Sequence, residues 1–343
     1  MNRLFSINKH WQAALLISSI LLSVIFSASV WFTNSLNQKL NLVEPLLFEI
    51  KKGSNLNQVC TQLKNKAAVS DCLALKINAR LNSKISKIKS GTYQLLPDQQ
   101  LDEVVMIFNK GEVVQLPFVI VEGENIFQVI EKIKANVHLV DDLSGKSLVE
   151  VAELLELEQS HPEGFLYPET YFYSIGSKAS ELLKRAVVKQ TRLLDDLWQK
   201  RSPTTLLKTP YEALILASII EKESSHDIER DLVASVFYNR ITKGMRLQTD
   251  PTVIYGVWEE YKGDITKRHL REKTPYNTYR INGLPPTPIA NPSLSSLQAV
   301  FSPAESDYLY FVADGEGQHV FSKTLKSHNQ ALRAYLRKLK ENG

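Results

Sequence analysis

The chain has 343 residues, of which 43% are hydrophobic and 23% charged, enough apolar material for two or three domains with real cores, which excludes global disorder. The net charge of +4 is too small to argue for a nucleic-acid partner and suits an acidic polymer or a membrane surface. The seven histidines are scattered, and no zinc-ligand spacing, phosphate-cradling loop or dinucleotide fingerprint occurs, so neither a metal nor a cofactor is expected.

The N-terminus carries the first strong signal. Residues 13–32 read AALLISSILLSVIFSASVWF, with no charge, and Trp11 and Trp31 stand at the edges. Twenty helical residues span roughly 30 Å, the thickness of a bilayer core, and tryptophans suit its interfaces. Arg3 and Lys9 precede the run and the next basic residue is Lys39. This asymmetry predicts a cytoplasmic N-terminus (1–12), a single-pass anchor (13–32) and the bulk of the chain outside. A cleaved signal peptide, with Ser27 and Ser29 near the cleavage point, is the alternative, although the run is long for a signal core. Cys60 and Cys72 fall in the exported part, where a disulfide is permitted; two small buried apolar side chains are the other reading.

Residues 33–45 read as a polar linker ending at Pro45. Alternation at Leu46, Phe48 and Ile50 then predicts a strand, Gly53 a turn, Ser54 or Asn55 a helix cap, and Leu56, Val59 and Leu63 an apolar helix face. A second helix is expected over about Asp71–Leu81, a strand at SGTYQLL, and a third helix from near Leu101 to Gly111. The stretch FEIKKGSNLNQV (48–59) is echoed by FVIVEGENIFQV (118–129); strand, glycine turn and capped helix form one unit in which each repeated residue has a job. Residues 46–115 look like a LysM-like glycan-binding subdomain, two helices on a small sheet.

The remainder, 116–343, is richer in helix signals. DIERDLVASVFYNRITKG predicts a helix with Asp227 as cap and Gly244 as stop. Residues 307–320 predict short strands around the turn ADGEG, and a last helix starts near Ser327. EGFLYPETYFY (163–173) reads as an aromatic-rich strand or turn that either lines a groove or fills the core.

The chemistry centres on LASIIEKESSHDIER (216–230). An apolar run from Ala213 to Ile220, broken only by Ser218, ends in Glu221 and Glu223. Residues two apart on a helix point to nearly opposite sides, so the pair cannot flank one bond. Glu223 continues the stripe of Leu216, Ile219 and Ile220, which makes it the better candidate for a carboxyl kept protonated by apolar walls, as a general acid toward a glycosidic oxygen requires. On pattern alone, both glutamates could equally be solvating the end of a core helix. Downstream, MRLQTDPTVIYG places Gln248, Thr249 and Asp250 before Pro251, where Asp-Pro favours a defined turn. The proline-rich TPYNTYRINGLPPTPIANP (274–292) offers Tyr276, Asn277, Tyr279 and Asn291 for stacking on sugar rings and bonding their hydroxyls; a rigid structural loop is the other reading.

Taken together, ASIIEKES, RLQTDPTVIYG, YNTYRINGLPPTPIANP, EGFLYPETYFY and YFVADGEGQHVFS resemble, in content and order, the endolytic murein transglycosylase family of YceG-like proteins. The resemblance covers nearly all of the exported chain. It implies an α+β fold: an N-terminal transmembrane helix, a small LysM-like α/β subdomain and, over 116–343, a mixed α+β lytic transglycosylase catalytic domain. It also implies an inner-membrane location with that domain in the periplasm. The family's catalytic glutamate is the second of the E-K-E motif, here Glu223, and residues 217–225 also look like the A-x-x-x-x-x-E-S stretch of other lytic transglycosylases. The implied reaction cleaves the β-1,4 bond between N-acetylmuramic acid and N-acetylglucosamine without water or cofactor and leaves 1,6-anhydro ends, terminating nascent strands. One carboxyl can serve both proton steps, because the nucleophile is the substrate's own C6 hydroxyl. Gln248, Thr249, Asp250, Tyr276, Asn277, Tyr279 and Glu163 are the candidate sugar contacts. Glycan strands, the membrane and cell-wall synthesis proteins are the expected partners. Two rival readings are a hydrolase with Asp250 as nucleophile or base, and a non-enzymatic tethered glycan-binding scaffold.

Overall fold

The computed structural model describes residues 2–66, 68–82, 84–202, 206–224 and 226–342. They divide into two compact units, Met1–Leu116 and Pro117–Gly343.

The first unit opens with α1 (Asn2–Leu36). Its segment Trp11–Leu36 has a mean hydropathy of 2.3 and no buried part. Leu15, Ile20, Leu22 and Phe26 are all more than half exposed, so by length and composition this helix can cross a membrane. The helix ends four residues beyond the charge-free run. The segment after it is packed rather than free, because Leu40 joins the core of this unit. The Leu40 N–H bonds the Gln99 carbonyl at 2.8 Å, and that of Asn41 bonds the Ala68 carbonyl at 2.9 Å.

Next come β1 (Leu46–Ile50), α2 (Leu56–Asn65), α3 (Leu73–Leu81), β2 (Gly91–Leu95) and α4 (Leu101–Lys110). β1 and β2 pair antiparallel with Phe48 opposite Tyr93. Phe48 stacks on Phe108 at 5.6 Å, and Tyr93 meets the same ring edge-on at 4.8 Å. Asn55 caps α2 and exchanges bonds with Gln58 in a capping box. Cys60 and Cys72 are buried free thiols, hydrogen-bonded to each other.

The division falls in β3 (Gln115–Val119), which pairs with β4 (Thr170–Ser174); α5 (Ile126–Lys134) and α6 (Leu148–Leu154) lie between them in sequence. Asn125 and Gln128 repeat on α5 the capping box of α2, so the echoed residues do the same local work in both places. Then come α7 (Ala179–Gln199), α8 (Pro210–Glu223), a 3-10 turn (Asp227–Glu229), α9 (Arg230–Thr242), α10 (Asp250–Gly256), α11 (Lys267–Arg271) and α12 (Leu294–Phe301). An antiparallel hairpin of β5 (Tyr310–Ala313) and β6 (His319–Ser322) and the terminal α13 (Leu325–Asn342) complete the unit.

α8 is the axis of this unit. Pro210 begins it, where a missing N–H does no harm, and the Thr209 side chain caps it by accepting from the Glu212 N–H. Every residue from Ala213 to Ile220 is buried, as a helix apolar on all sides must be. α7, α9, α10 and α12 pack around it. Its Leu and Ile side chains each contribute about 1.5–3 kcal/mol of transfer free energy. Ser218, the break in the run, donates to the Ile215 carbonyl and accepts from the Ile289 N–H at 3.0 Å. It therefore ties the 274–292 segment to α8.

Two local expectations are corrected. Asp227 does not cap α9: it opens the 3-10 turn and bonds Arg230 at 2.6 Å and Ser295 at 2.9 Å, and no side chain caps α9. Asp250-Pro251 starts α10 rather than making an isolated turn, since proline is well placed in a first helical turn.

Candidate active site

The C-terminal end of α8 presents its two glutamates to different surroundings. The Glu221 carboxylate accepts from the Arg230 guanidinium at 3.1 Å, from the Ser293 N–H and hydroxyl at 2.8 and 2.5 Å, and from the Ser296 hydroxyl at 2.7 Å. Four donors thus hold the carboxylate inside the fold, three of them on Oε2. Lys222, between the glutamates, bonds the Gly123 carbonyl at 3.1 Å. Gly123, at φ 75°, is the turn of the echoed unit. Its backbone approaches α8 so closely that an added Cβ would lie 3.6 Å from the Lys222 side chain.

Glu223 instead opens into a cleft of about 470 Å³, lined among others by Arg240, Gln248, Asp250, Tyr279, Tyr310, His319 and His328. Its one hydrogen-bond partner among the described residues is the Thr249 hydroxyl. Burial pushes the Glu223 carboxyl above the usual carboxylate range, and Asp250 pushes the same way. The Thr249 bond and the Arg240 charge act against them. A carboxyl whose protonated form is favoured by burial, in an open cleft, can donate to a leaving oxygen.

The loop 247–250 is held by α9 and by the proline-rich segment. Arg240, buried, donates to the Leu309 and Leu247 carbonyls, both at 2.6 Å, and so binds the β5–β6 hairpin to this loop. The Thr249 N–H bonds the Thr278 hydroxyl at 3.0 Å, and the Tyr279 hydroxyl bonds Asp250 at 2.7 Å. Gln248 has φ 51°, a left-handed conformation that a residue with a side chain adopts rarely and that tends to occur at functional sites.

Of the residues singled out from the sequence, the cleft thus gathers Glu223, Gln248, Asp250 and Tyr279, with Thr249 directly behind Glu223. Four others lie elsewhere, among them Asn291, fully buried with its side-chain carbonyl accepting from the Leu166 N–H at 3.0 Å. Glu163 is fully buried and accepts from the Ile126 N–H at the start of α5. Burial raises its pKa to about 7 against those backbone bonds. Asn277 is fully buried, and its amide donates to the carbonyls of His269, Leu270 and Glu272. Tyr276 packs on Tyr255 at 4.9 Å, bonds Thr287, and lines with Phe127, His161 and Trp258 a separate pocket of about 300 Å³. Sequence reasoning named no role for Arg240, His319, Tyr310 or His328. The last three come from the C-terminal hairpin and helix; the stretch YFVADGEGQHVFS contains Tyr310 and His319 but not His328.

The YceG-like family profile matches residues 48–334. The chain belongs to the YceG-like family. An endolytic murein transglycosylase of Bacillus subtilis (strain 168) is 30% identical over 304 residues, which is 84% of this chain and 84% of that protein. One from Streptococcus pneumoniae serotype 2 is 25% identical over 314 residues, 82% of this chain but 56% of the longer relative. Among solved structures, a 2.6 Å crystal structure of a YceG-like protein from Listeria monocytogenes is 34% identical. It covers 84% of this chain and 99% of its own, with a TM-score of 0.51. The α+β architecture described above is therefore that of the family.

Proposed function

We propose that the chain is an endolytic murein transglycosylase, a lyase, with Glu223 as its acid. The proposal is carried by one observation: of the paired glutamates, Glu221 is buried and bonded by four donors within the fold, while Glu223 is held above its ordinary pKa in an open cleft. The names of the Bacillus and Streptococcus relatives support the substrate class.

In this reading Glu223 protonates the glycosidic oxygen between N-acetylmuramic acid and N-acetylglucosamine. The C1–O4 bond breaks with its electron pair leaving on O4. The muramyl C6 oxygen closes onto C1 as a 1,6-anhydro ring, and the proton it gives up restores Glu223. The acid and the base are then one group in two states, so no second carboxylate is needed across the bond. Asp250 lines the same cleft and is the group that would activate water in a hydrolase. Incubating the protein with purified uncrosslinked strands and weighing the products separates the two: anhydro ends are one water lighter than the reducing ends a hydrolase leaves.

The anchor reading of α1 rests on Trp11–Leu36 and places the catalytic unit in the periplasm, where it would end nascent strands beside cell-wall synthesis proteins. The LysM-like reading of 46–115 is supported by an open groove of about 630 Å³ whose lining residues include Lys51, Lys52, Asn57 and Thr61. Alanine at Lys51, Lys52 and Asn57 should weaken retention on glycan strands while leaving the product ends unchanged; undiminished retention would contradict a glycan site there.

A further inference from the structure

The cleft around Glu223 holds a second side chain built to handle a proton. His319 begins β6, and its ring faces the cleft. Its backbone N–H donates to Glu229 Oε1 at 2.9 Å, and its ring Nδ1 lies 2.9 Å from Glu229 Oε2. Phe311 meets the ring edge-on at 5.4 Å, so the imidazole is fixed from two sides. The Glu229 side chain is 9% exposed and that of His319 is 17% exposed: the carboxylate is enclosed, and the imidazole is within reach of a ligand.

This arrangement sets the tautomer. A carboxylate only accepts, so Nδ1 carries the hydrogen, and Nε2 is left with a free lone pair. A buried carboxylate that holds an imidazole in one tautomer is how other acid–base sites keep the second nitrogen ready to accept a proton. The charged and titratable groups sharing the cleft with His319 are Glu223, Arg240, Asp250, Tyr279, Tyr310 and His328, with Glu229 behind it. Arg240 carries no acceptor, and the His328 ring, with no partner at Nδ1 among the described residues, lacks the carboxylate that fixes His319. Asp250 is engaged by the Tyr279 hydroxyl.

We propose that His319 carries the proton from the substrate's C6 hydroxyl to Glu223, with Glu229 as its positioning residue; this rests on the transglycosylase reading above. As the C6 oxygen bonds to C1, its O–H electrons stay on oxygen and the proton moves to Nε2. The imidazolium then passes a proton to the Glu223 carboxylate that the leaving group has just deprotonated. Every proton is accounted for, and no oxidant or co-reactant is required. Glu223 then acts on O4 alone, and the C6 proton reaches it through His319 rather than directly.

The test compares the full-length protein with His319→Gln and Glu229→Gln, counting anhydro and reducing ends from purified uncrosslinked strands. His319→Gln retains hydrogen bonding but accepts no proton. The amide of Glu229→Gln donates to Nδ1 and forces the hydrogen onto Nε2, so the ring stays but cannot accept. Both should lose on the order of 10²-fold or more in anhydro-end formation, with strand retention and unfolding midpoint close to those of the parent. The few cuts that remain should shift toward reducing ends, because water then competes with an unassisted C6 hydroxyl. Undiminished anhydro formation in a folded His319→Gln or Glu229→Gln would overturn the relay alone. Reducing ends from the unaltered protein would overturn the transglycosylase reading, and the relay with it. Should His319→Gln fail to fold, His319→Asn, which keeps a bond to Glu229, is read in the same way.

Discussion

The Arg230 guanidinium donates to the Glu221 carboxylate at 3.1 Å, and both side chains are 5% exposed. Arg230 also bonds the Ser293 hydroxyl at 2.8 Å, so this pair joins the end of α8, the start of α9 and the cap of α12. Removing the Glu221 charge leaves the buried Arg230 paired only with the largely exposed Asp227, at 2.6 Å, so the loss should sit near the lower end of the about 3–5 kcal/mol that breaking a buried pair costs. Glu221→Gln should therefore lose about 3 kcal/mol of stability, read by urea unfolding. Among molecules that remain folded, it should keep most of its strand-cleaving rate. A stable but inactive Glu221→Gln would mean the two glutamates have been assigned the wrong way round.

Thr249 gives a prediction about pH. Its hydroxyl bond favours the charged form of Glu223. Thr249→Val keeps the shape and removes the bond, so the Glu223 pKa should rise further. The alkaline limb of the pH–rate profile, which reports loss of the protonated acid, should move to higher pH. An unmoved limb, or one moved downward, would separate that limb from Glu223.

Glu163 should reveal itself in stability rather than in rate. Its pKa is raised by burial from 4.5 to about 7. A group raised on folding contributes fully below its unfolded value and loses that contribution as pH rises through the folded value. The parent should thus lose stability relative to Glu163→Gln between about pH 4.5 and pH 7. The difference should approach about 3 kcal/mol at the upper end. Urea unfolding of both proteins across that range checks the slope; a flat difference would show that Glu163 titrates normally.

Local signals were legible wherever the cause is local. The Asn55 and Asn125 caps, the Gly53 and Gly111 turns and the apolar run of α8 follow from backbone geometry and periodicity, and the structure has them all. The choice of Glu223 over Glu221 was also open to helix-face reasoning, because two residues of helical rotation separate their surroundings. The failures involve partners distant in sequence or side chains with competing uses. Nothing near Asp227 says that Arg230 will take it from its capping position, and nothing in EGFLYP says that Glu163 will meet the Ile126 N–H instead of a ligand. His319 reaches the cleft only because the hairpin folds back onto Glu229, 90 residues earlier. Such long-range placement is decided by packing and not by any period in the chain.

In the proposed mechanism Glu223 carries the central step, and the most direct measurement is the rate of anhydro-end formation by Glu223→Gln on purified uncrosslinked strands, monitored by mass. Glutamine keeps the size and can still bond Thr249, and it removes a carboxyl whose charged form is disfavoured by burial. Stability at neutral pH should therefore be equal to or above that of the parent, while the rate should fall by about 10⁴-fold, the upper end for one acid–base group. Retained anhydro-end formation in this folded variant would contradict the assignment of Glu223 as the acid.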